Sequence, residues 1–179
     1  MNSQLELRLS GSGGQGLITA GIILAEAAIK DNKNAIQTQS YGPEARGGAS
    51  KAEVIISNSV IDFPKVTLPN MTLALTQIAS DKYIKDISEE GTIIADASIV
   101  LPEGLKAKKI ISVPILETAR TEVGKEIVAN IVALGLIVGL TGIVSKESLE
   151  SAILSRIPKG TEELNKLALQ KGYELANQM

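Results

Sequence analysis

The sequence predicts one α/β domain, a three-layer α/β/α sandwich with a mostly parallel, Rossmann-like sheet and a helical carboxy-terminal part. Short apolar segments alternate with helical stretches in the first part of the chain, and every segment beyond Pro114 has a helical pattern. The apolar fraction is 44% and the aromatic fraction only 2%, a composition typical of parallel strands buried on both faces. A length of 179 residues suits one core better than two, so we expect a single domain over residues 1–179.

The individual elements follow from hydrophobic periodicity and from turn residues between them. Strands are predicted at residues 4–10, 35–38, 52–57, 71–75, 91–96 and 107–113. Helices are predicted at residues 16–30, 77–87, 115–121, 125–140, 145–157 and 161–176. Ser145 and Thr161 are suited to begin the last two helices as N-caps, because a hydroxyl oxygen can accept a bond from a free backbone N–H.

Composition excludes several classes of function. The net charge of −2 and the scattered lysines give no basic footprint for nucleic acid. The chain has no Cys and no His, which removes thiolate nucleophiles, iron–sulfur ligation and ordinary zinc sites. We therefore predict no metal site and no catalytic residue on this chain. The amino terminus lacks the pattern of a signal peptide, so a cytoplasmic protein is expected.

The segment 127–144 is almost continuously apolar and contains Gly135 and Gly139 at the spacing used by packed membrane helices. The alternative is a central helix of a soluble domain. Three glycines weaken an isolated helix, Asn130 interrupts the apolar run, and tryptophan and flanking arginine anchors are absent. These features favour the soluble helix and no membrane span. Because a small domain has little room for a helix that is apolar all round, we expect part of it to face a partner subunit.

The most informative motif is the turn formed by Gly11, Ser12, Gly13, Gly14, Gln15 and Gly16. It lies between the first strand and the first helix. Free backbone N–H groups and the positive end of a helix dipole meet at such a turn, which suits a phosphate or carboxylate.

The same turn satisfies the dinucleotide-binding pattern G-x-G-x-x-G, so a nicotinamide or flavin site must be considered. That pattern requires an acidic residue at the tip of the second strand to bind the ribose. The second strand instead ends in Gln37, Thr38 and Gln39. Three interpretations stay open: a nucleotide site, a site for a different anion or an interface, and a tight turn with a purely structural role.

A second glycine-bearing loop, residues 40–50, follows the second strand and should reach the same carboxyl edge of the sheet. Arg46 supplies a planar cation that suits phosphate or carboxylate, and Gly47 allows a close approach of the backbone. Tyr41 adds a ring face and a hydroxyl. Glu44 lies between Tyr41 and Arg46 in the sequence. The plain alternative is a solvated loop in which Glu44 and Arg46 pair with each other.

The two loops together resemble the gamma subunit of 2-oxoacid:ferredoxin oxidoreductases. The resemblance rests on residues 11–16, on residues 39–50 with the sequence Gln-Ser-Tyr-Gly-Pro-Glu-Ala-Arg-Gly-Gly-Ala-Ser, and on residues 61–64 and 129–135. The Ser-Tyr-Gly-Pro-Glu-Ala-Arg-Gly-Gly form looks most like the 2-oxoglutarate branch, also called 2-oxoglutarate synthase. The match extends over most of the chain, and the amino-terminal third is its specific part.

This resemblance implies a non-catalytic subunit that helps to enclose the active site and coenzyme A. In the family, alpha and beta subunits hold thiamine diphosphate, and iron–sulfur clusters lie in the beta subunit or in a small ferredoxin-like delta subunit. The complex converts a 2-oxoacid to an acyl-CoA and reduces ferredoxin, or runs the reverse reaction. The residues implied to face the ligand are Gly11, Gly13, Gly14, Gln15 and Gly16 in the first loop and Tyr41, Glu44, Arg46 and Gly47 in the second.

Two other classes of function remain compatible with the residues. One is a stand-alone Rossmann-type nucleotide-binding oxidoreductase. The other is a non-enzymatic nucleotide-binding or scaffold domain.

Overall fold

The computed structural model describes residues 4–40 and 48–179, and its strands form one six-stranded sheet in the order β2-β3-β1-β4-β5-β6. The strands are β1 (Gln4–Ser12), β2 (Asn34–Gln39), β3 (Ala49–Ser57), β4 (Met71–Ala74), β5 (Thr92–Asp96) and β6 (Lys109–Val113). Strands β1, β4, β5 and β6 pair in parallel, whereas β3 is antiparallel to both β1 and β2. All strands except β3 therefore run in one direction, and the predicted mostly parallel sheet is confirmed.

Strand β3 lies between β1 and β2, and this departs from a dinucleotide-binding fold. In that fold the strands joined by the first helix are neighbours, so the ribose-binding tip of the second strand is next to the glycine turn. Here the register Gly11 to Ser50 and Ser12 to Ala49 places β3 beside β1. The end of β2 is thus one strand further from the glycine turn than in a dinucleotide-binding fold, and one strand spacing is about 4.8 Å.

The helices are α1 (Leu17–Lys30), α2 (Gln77–Tyr83), α3 (Ile115–Thr118), α4 (Ala129–Thr141), α5 (Lys146–Arg156) and α6 (Glu162–Asn177). The expected helix at 125–140 begins instead with a short 3₁₀ turn, Glu126–Val128. Ser145 caps α5 as predicted, because its Oγ accepts a bond from Ser148 N. Thr161 precedes α6, but its hydroxyl donates to Pro158 O at 2.7 Å and does not cap the helix.

The two faces of the sheet are covered unequally. Leu7, Leu9 and Val54 point to the larger apolar cluster, which also contains side chains of α1, α4, α5 and α6. Ile93 and Ala95 point to a smaller cluster on the opposite face, where α2 packs against β1, β3 and β4. The predicted three-layer sandwich and helical carboxy-terminal part are present, with most of the helical mass on one side.

Helix α4 is enclosed by its own chain. Residues 128–138 are all buried, and α6 packs against α4 so closely that a Cβ added to Gly172 would lie 2.2 Å from Val132 O. A Cβ added to Gly135 would likewise lie 2.4 Å from Leu169 O and 3.0 Å from Gly172 Cα. Residues 128–138 therefore leave no face for a partner, since small residues let α6 cover them, whereas Ile127 near the start of the predicted helix is 65% exposed. No helix in the described part of the chain is long and apolar enough to cross a membrane.

Candidate functional site

The glycine turn joins β1 to α1 at the carboxyl edge of the sheet. Gly16 is the N-cap of α1 and has φ 71° and ψ 24°, a left-handed conformation that favours glycine. At Gly11 the reason for glycine is contact: an added Cβ would lie 2.3 Å from Gln15 Oε1. The turn thus depends on glycine both for its backbone conformation and for the space that the Gln15 side chain occupies.

Part of the turn's hydrogen-bonding capacity is used inside the protein. Ser12 N donates to Gln15 Oε1 at 2.8 Å, Gln15 N donates to Ser12 O at 3.3 Å, and Gly13 N donates to Gly48 O at 3.3 Å. The Gln15 oxygen, predicted to face a ligand, therefore supports the turn from within.

Other N–H groups of the turn and of the first helical turn have no acceptor within residues 4–40 and 48–179. They belong to Gly14, Gly16, Leu17, Ile18 and Thr19. A row of unpaired N–H groups at the positive end of a helix dipole favours an anion. That the residues of the turn bind a phosphate or carboxylate stays a prediction.

The second loop starts one strand away from the first and ends directly beside it. Strand β2 ends at Gln39, and β3 begins at Ala49 directly opposite Ser12. Both loops therefore leave the same edge of the sheet, and the bond from Gly13 N to Gly48 O joins them. Tyr41, Glu44, Arg46 and Gly47 lie outside the described residues, so their predicted roles stay predictions.

Asn130 is a residue of this site that sequence reasoning missed. It lies in the first turn of α4, is only 8% exposed, and donates from Nδ2 to Gly16 O at 3.1 Å. An alanine Cβ at Gly16 would lie 2.6 Å from the same nitrogen. The signal for it in the sequence is a lone amide in an otherwise apolar helix.

Asp96 has a structural role. Asp96 is 2% exposed, and its Oδ1 accepts bonds from Ser98 N and Oγ, while its Oδ2 accepts one from Leu116 N at 2.8 Å. This carboxylate closes a turn and holds the start of α3, as a strand-terminal aspartate often does. Exposed Arg120 pairs with Glu126. The described residues contain no cluster of acidic side chains that could hold a metal ion.

The chain also matches known proteins over nearly its whole length. The family model for pyruvate ferredoxin/flavodoxin oxidoreductase matches residues 6–175. The chain is 54% identical to the 2-oxoglutarate synthase subunit KorC of Methanocaldococcus jannaschii, over 97% of this chain and 95% of the relative. The chain is 31% identical to the pyruvate synthase subunit PorC of Methanothermobacter thermautotrophicus, over 95% of this chain and 94% of the relative.

Solved structures agree with the sequence match. The gamma subunit of a keto/oxoacid ferredoxin oxidoreductase from Geobacter sulfurreducens superimposes with a TM-score of 0.87 at 51% identity, over 98% of both chains. The 2-oxoglutarate:ferredoxin oxidoreductase from Magnetococcus marinus, solved with 2-oxoglutarate, coenzyme A and succinyl-CoA bound, has the same fold in part of a longer chain. Its TM-score is 0.86 at 20% identity, over 98% of this chain and 31% of that one. This chain belongs to the pyruvate ferredoxin/flavodoxin oxidoreductase family, as a gamma-type subunit of the 2-oxoacid:ferredoxin oxidoreductases.

Proposed function

We propose that this chain is the non-catalytic gamma subunit of a 2-oxoglutarate:ferredoxin oxidoreductase and that it helps to enclose the active site and coenzyme A. The complex would form the acyl-CoA by oxidative decarboxylation or run the reverse reaction. The observation that carries the proposal is the row of N–H groups at the start of α1 that have no acceptor among the described residues. They lie on the edge where the second glycine-bearing loop also begins and ends. Coenzyme A is a fitting ligand for this edge because its phosphates are anionic.

The proposed partners are alpha and beta subunits, in some complexes a ferredoxin-like delta subunit, and ferredoxin as the electron acceptor. Thiamine diphosphate and the iron–sulfur clusters belong to those partners in the proposal, since a chain without Cys cannot supply thiolate ligands. The choice of 2-oxoglutarate over pyruvate is supported by the higher identity to the 2-oxoglutarate synthase subunit. A cytoplasmic location fits these partners.

The anion role of the turn is tested by a matched pair of variants, Gly14→Asp and Gly14→Asn. Gly14 has φ 91°, and no atom lies within 4 Å of an added Cβ. Asn and Asp tolerate positive φ better than other side chains and are nearly identical in shape, so the pair differs mainly by one negative charge. In the assembled complex, we expect the KM for coenzyme A of Gly14→Asp to exceed that of Gly14→Asn by about 10-fold, because about 1.4 kcal/mol of repulsion gives that factor.

Equal KM values for the two variants, in complexes of the same composition, would contradict an anion at the turn. The subunit role has a separate test. The isolated chain should show no turnover with 2-oxoglutarate, coenzyme A, thiamine diphosphate and an artificial electron acceptor, and activity without partners would refute that role.

A further inference from the structure

A cleft of about 410 Å³ lies between α5 and α6. Helix α5 contributes Glu150 to its lining, and α6 contributes Glu163, Lys166, Leu167, Leu169 and Tyr173. The volume is within the range of pockets that hold small molecules. No residue of the glycine turn lines this cleft, so a ligand here would be independent of the proposed coenzyme A role.

Tyr173 ends in a buried hydroxyl that lacks a hydrogen-bond partner. The residue is 7% exposed, and its ring packs against α4, where a Cβ added to Gly139 would lie 3.5 Å from Tyr173 Cδ1. The hydroxyl oxygen makes no hydrogen bond within residues 4–40 and 48–179. Buried polar atoms without a partner are uncommon in folded proteins, and this one belongs to a residue that lines a cleft. A ligand in the cleft would supply the hydrogen bond.

The electrostatics around this hydroxyl favour a cation. Burial, followed by the carboxylates of Glu150 and Glu147, raises the pKa of Tyr173 to about 12. The phenol therefore stays neutral at physiological pH, and its oxygen can accept a hydrogen bond. The ammonium of Lys146 lies over the ring, 4.5 Å from the centroid, so a further cation would bind at the hydroxyl end of the side chain.

Lys166 shows that the cleft accepts an ammonium group. Its Nζ lies 3.6 Å from Glu163 Oε1 and 3.9 Å from Glu150 Oε1, close to both carboxylates but too far to hydrogen-bond either one. The side chains of Glu150 and Lys166 are about half exposed, and exposed ion pairs of this kind contribute little to stability. These side chains can therefore move aside and open the way to the buried hydroxyl.

We propose that this cleft binds a primary alkylammonium ion. Glu150 and Glu163 stabilise its charge, and the hydroxyl oxygen of Tyr173 accepts a hydrogen bond from one N–H. Leu167 and Leu169 contact the alkyl chain. The described residues contain no acidic cluster that could hold a metal ion, which favours an organic cation. The site requires no partner subunit.

The probe is n-butylammonium, titrated into the full-length chain. Tyrosine labelled with carbon-13 at Cζ, the ring carbon that carries the hydroxyl, reports binding by NMR. We expect a saturable shift of the Tyr173 signal and no shift of the Tyr83 signal. Tetramethylammonium has the charge but no N–H, and n-butanol has the chain but no charge. Each should bind about 10-fold more weakly than n-butylammonium, because a charge-assisted hydrogen bond needs both features.

Variants assign the binding to this cleft, with affinities measured by calorimetry. Glu150→Gln should weaken n-butylammonium by about 10-fold, whereas Glu103→Gln, an exposed acid outside the lining, should change nothing. Tyr173→Phe should weaken binding by about 3- to 10-fold without lowering the melting temperature, because it removes a buried hydroxyl that has no partner in the described chain. Lys166→Gln should tighten binding, because it removes the competing ammonium.

Several outcomes would overturn the proposal. They are equal binding of n-butylammonium and tetramethylammonium, equal effects of the two glutamate variants, undiminished binding to Tyr173→Phe, and binding to Lys166→Gln that is not tighter. The absence of a saturable shift at Tyr173 would mean that water alone meets the hydroxyl, and it would overturn the proposal as well.

Discussion

The side-chain nitrogen of Asn130 donates a hydrogen bond to the carbonyl oxygen of Gly16, 3.1 Å away and 114 residues earlier in the chain. The same carbonyl accepts the first intrahelical bond of α1, from Ala20 N at 2.9 Å. One buried amide therefore ties the start of α4 to the N-cap of α1. This contact positions the free N–H groups of the glycine turn relative to the helical layer.

Replacing Asn130 should destabilise the protein through this contact. Asn130→Leu leaves the Gly16 carbonyl without its side-chain donor, and we expect the free energy of unfolding to fall by about 1 to 3 kcal/mol. Urea denaturation measures the change. The matched control is Asn177→Leu, an exposed amide at the end of α6, which should change stability by less than about 0.5 kcal/mol. Equal losses in the two variants would contradict the role of Asn130.

Because α4 and α6 pack closely, we expect a Gly→Ala substitution at their contact to lower stability, the opposite of its usual effect in a helix. In an exposed helix, Gly→Ala stabilises by about 1 kcal/mol. Gly172→Ala should instead destabilise by about 1 to 3 kcal/mol or more, because the new Cβ would lie 2.2 Å from Val132 O and 2.8 Å from Leu136 N. Thermal and urea unfolding check the sign, with exposed Gln170→Ala as the control. A stabilised Gly172→Ala would show that the two helices can separate without cost.

Asp31 makes stability depend on pH. Burial alone would raise its pKa, but bonds donated by Ser148 and Ser145 and the nearby Lys33 outweigh burial and hold the pKa below its ordinary value. A carboxylate with a lowered folded-state pKa stabilises the fold at neutral pH, and this contribution is lost as the pH falls below about 3.9 and through the folded-state pKa.

Asp31→Asn should therefore lower the melting temperature at pH 7, and the difference from the parent protein should shrink as the pH falls below about 4. The physical reason is that the amide cannot accept the charge-assisted bonds that join the end of α1 to the start of α5. Exposed Asp62→Asn provides the comparison. A melting difference independent of pH would mean that the Asp31 charge contributes nothing.

We predict from the sequence that Arg46 binds an anion at the carboxyl edge of the sheet, where the glycine turn also lies. A shielded charge-assisted contact contributes roughly 1.5 to 3 kcal/mol, so Arg46→Ala should raise the apparent constant for coenzyme A or the 2-oxoacid by about 10- to 100-fold. Arg46→Lys should restore only part of the loss, because a point charge cannot reproduce the guanidinium fork.

The measurement for Arg46 is steady-state kinetics on the assembled complex, with assembly followed separately. Unchanged constants for both substrates would return the residue to the solvated-loop interpretation. A loss of complex formation alone would make it an interface residue.

Local patterns in the sequence determined most elements and the glycine turn. Alternating Leu5, Leu7 and Leu9 identify β1, and the glycines after them predict the turn into α1, because period and backbone freedom are properties of neighbouring residues. The sequence predicts Ser145 as a cap for the same reason, and the structure confirms it. The specific loops also identified the family, which the comparisons confirm.

Tertiary structure alone decided how distant segments meet. No local pattern states that β3 enters the sheet between β1 and β2, that Asn130 reaches Gly16, or that Gly172 lets α6 enclose α4. The spacing of Gly135 and Gly139 is equally suited to a membrane helix, a subunit contact and a contact inside one domain. The choice among them depends on which surface the rest of the chain brings against that helix, and this is a property of long-range packing.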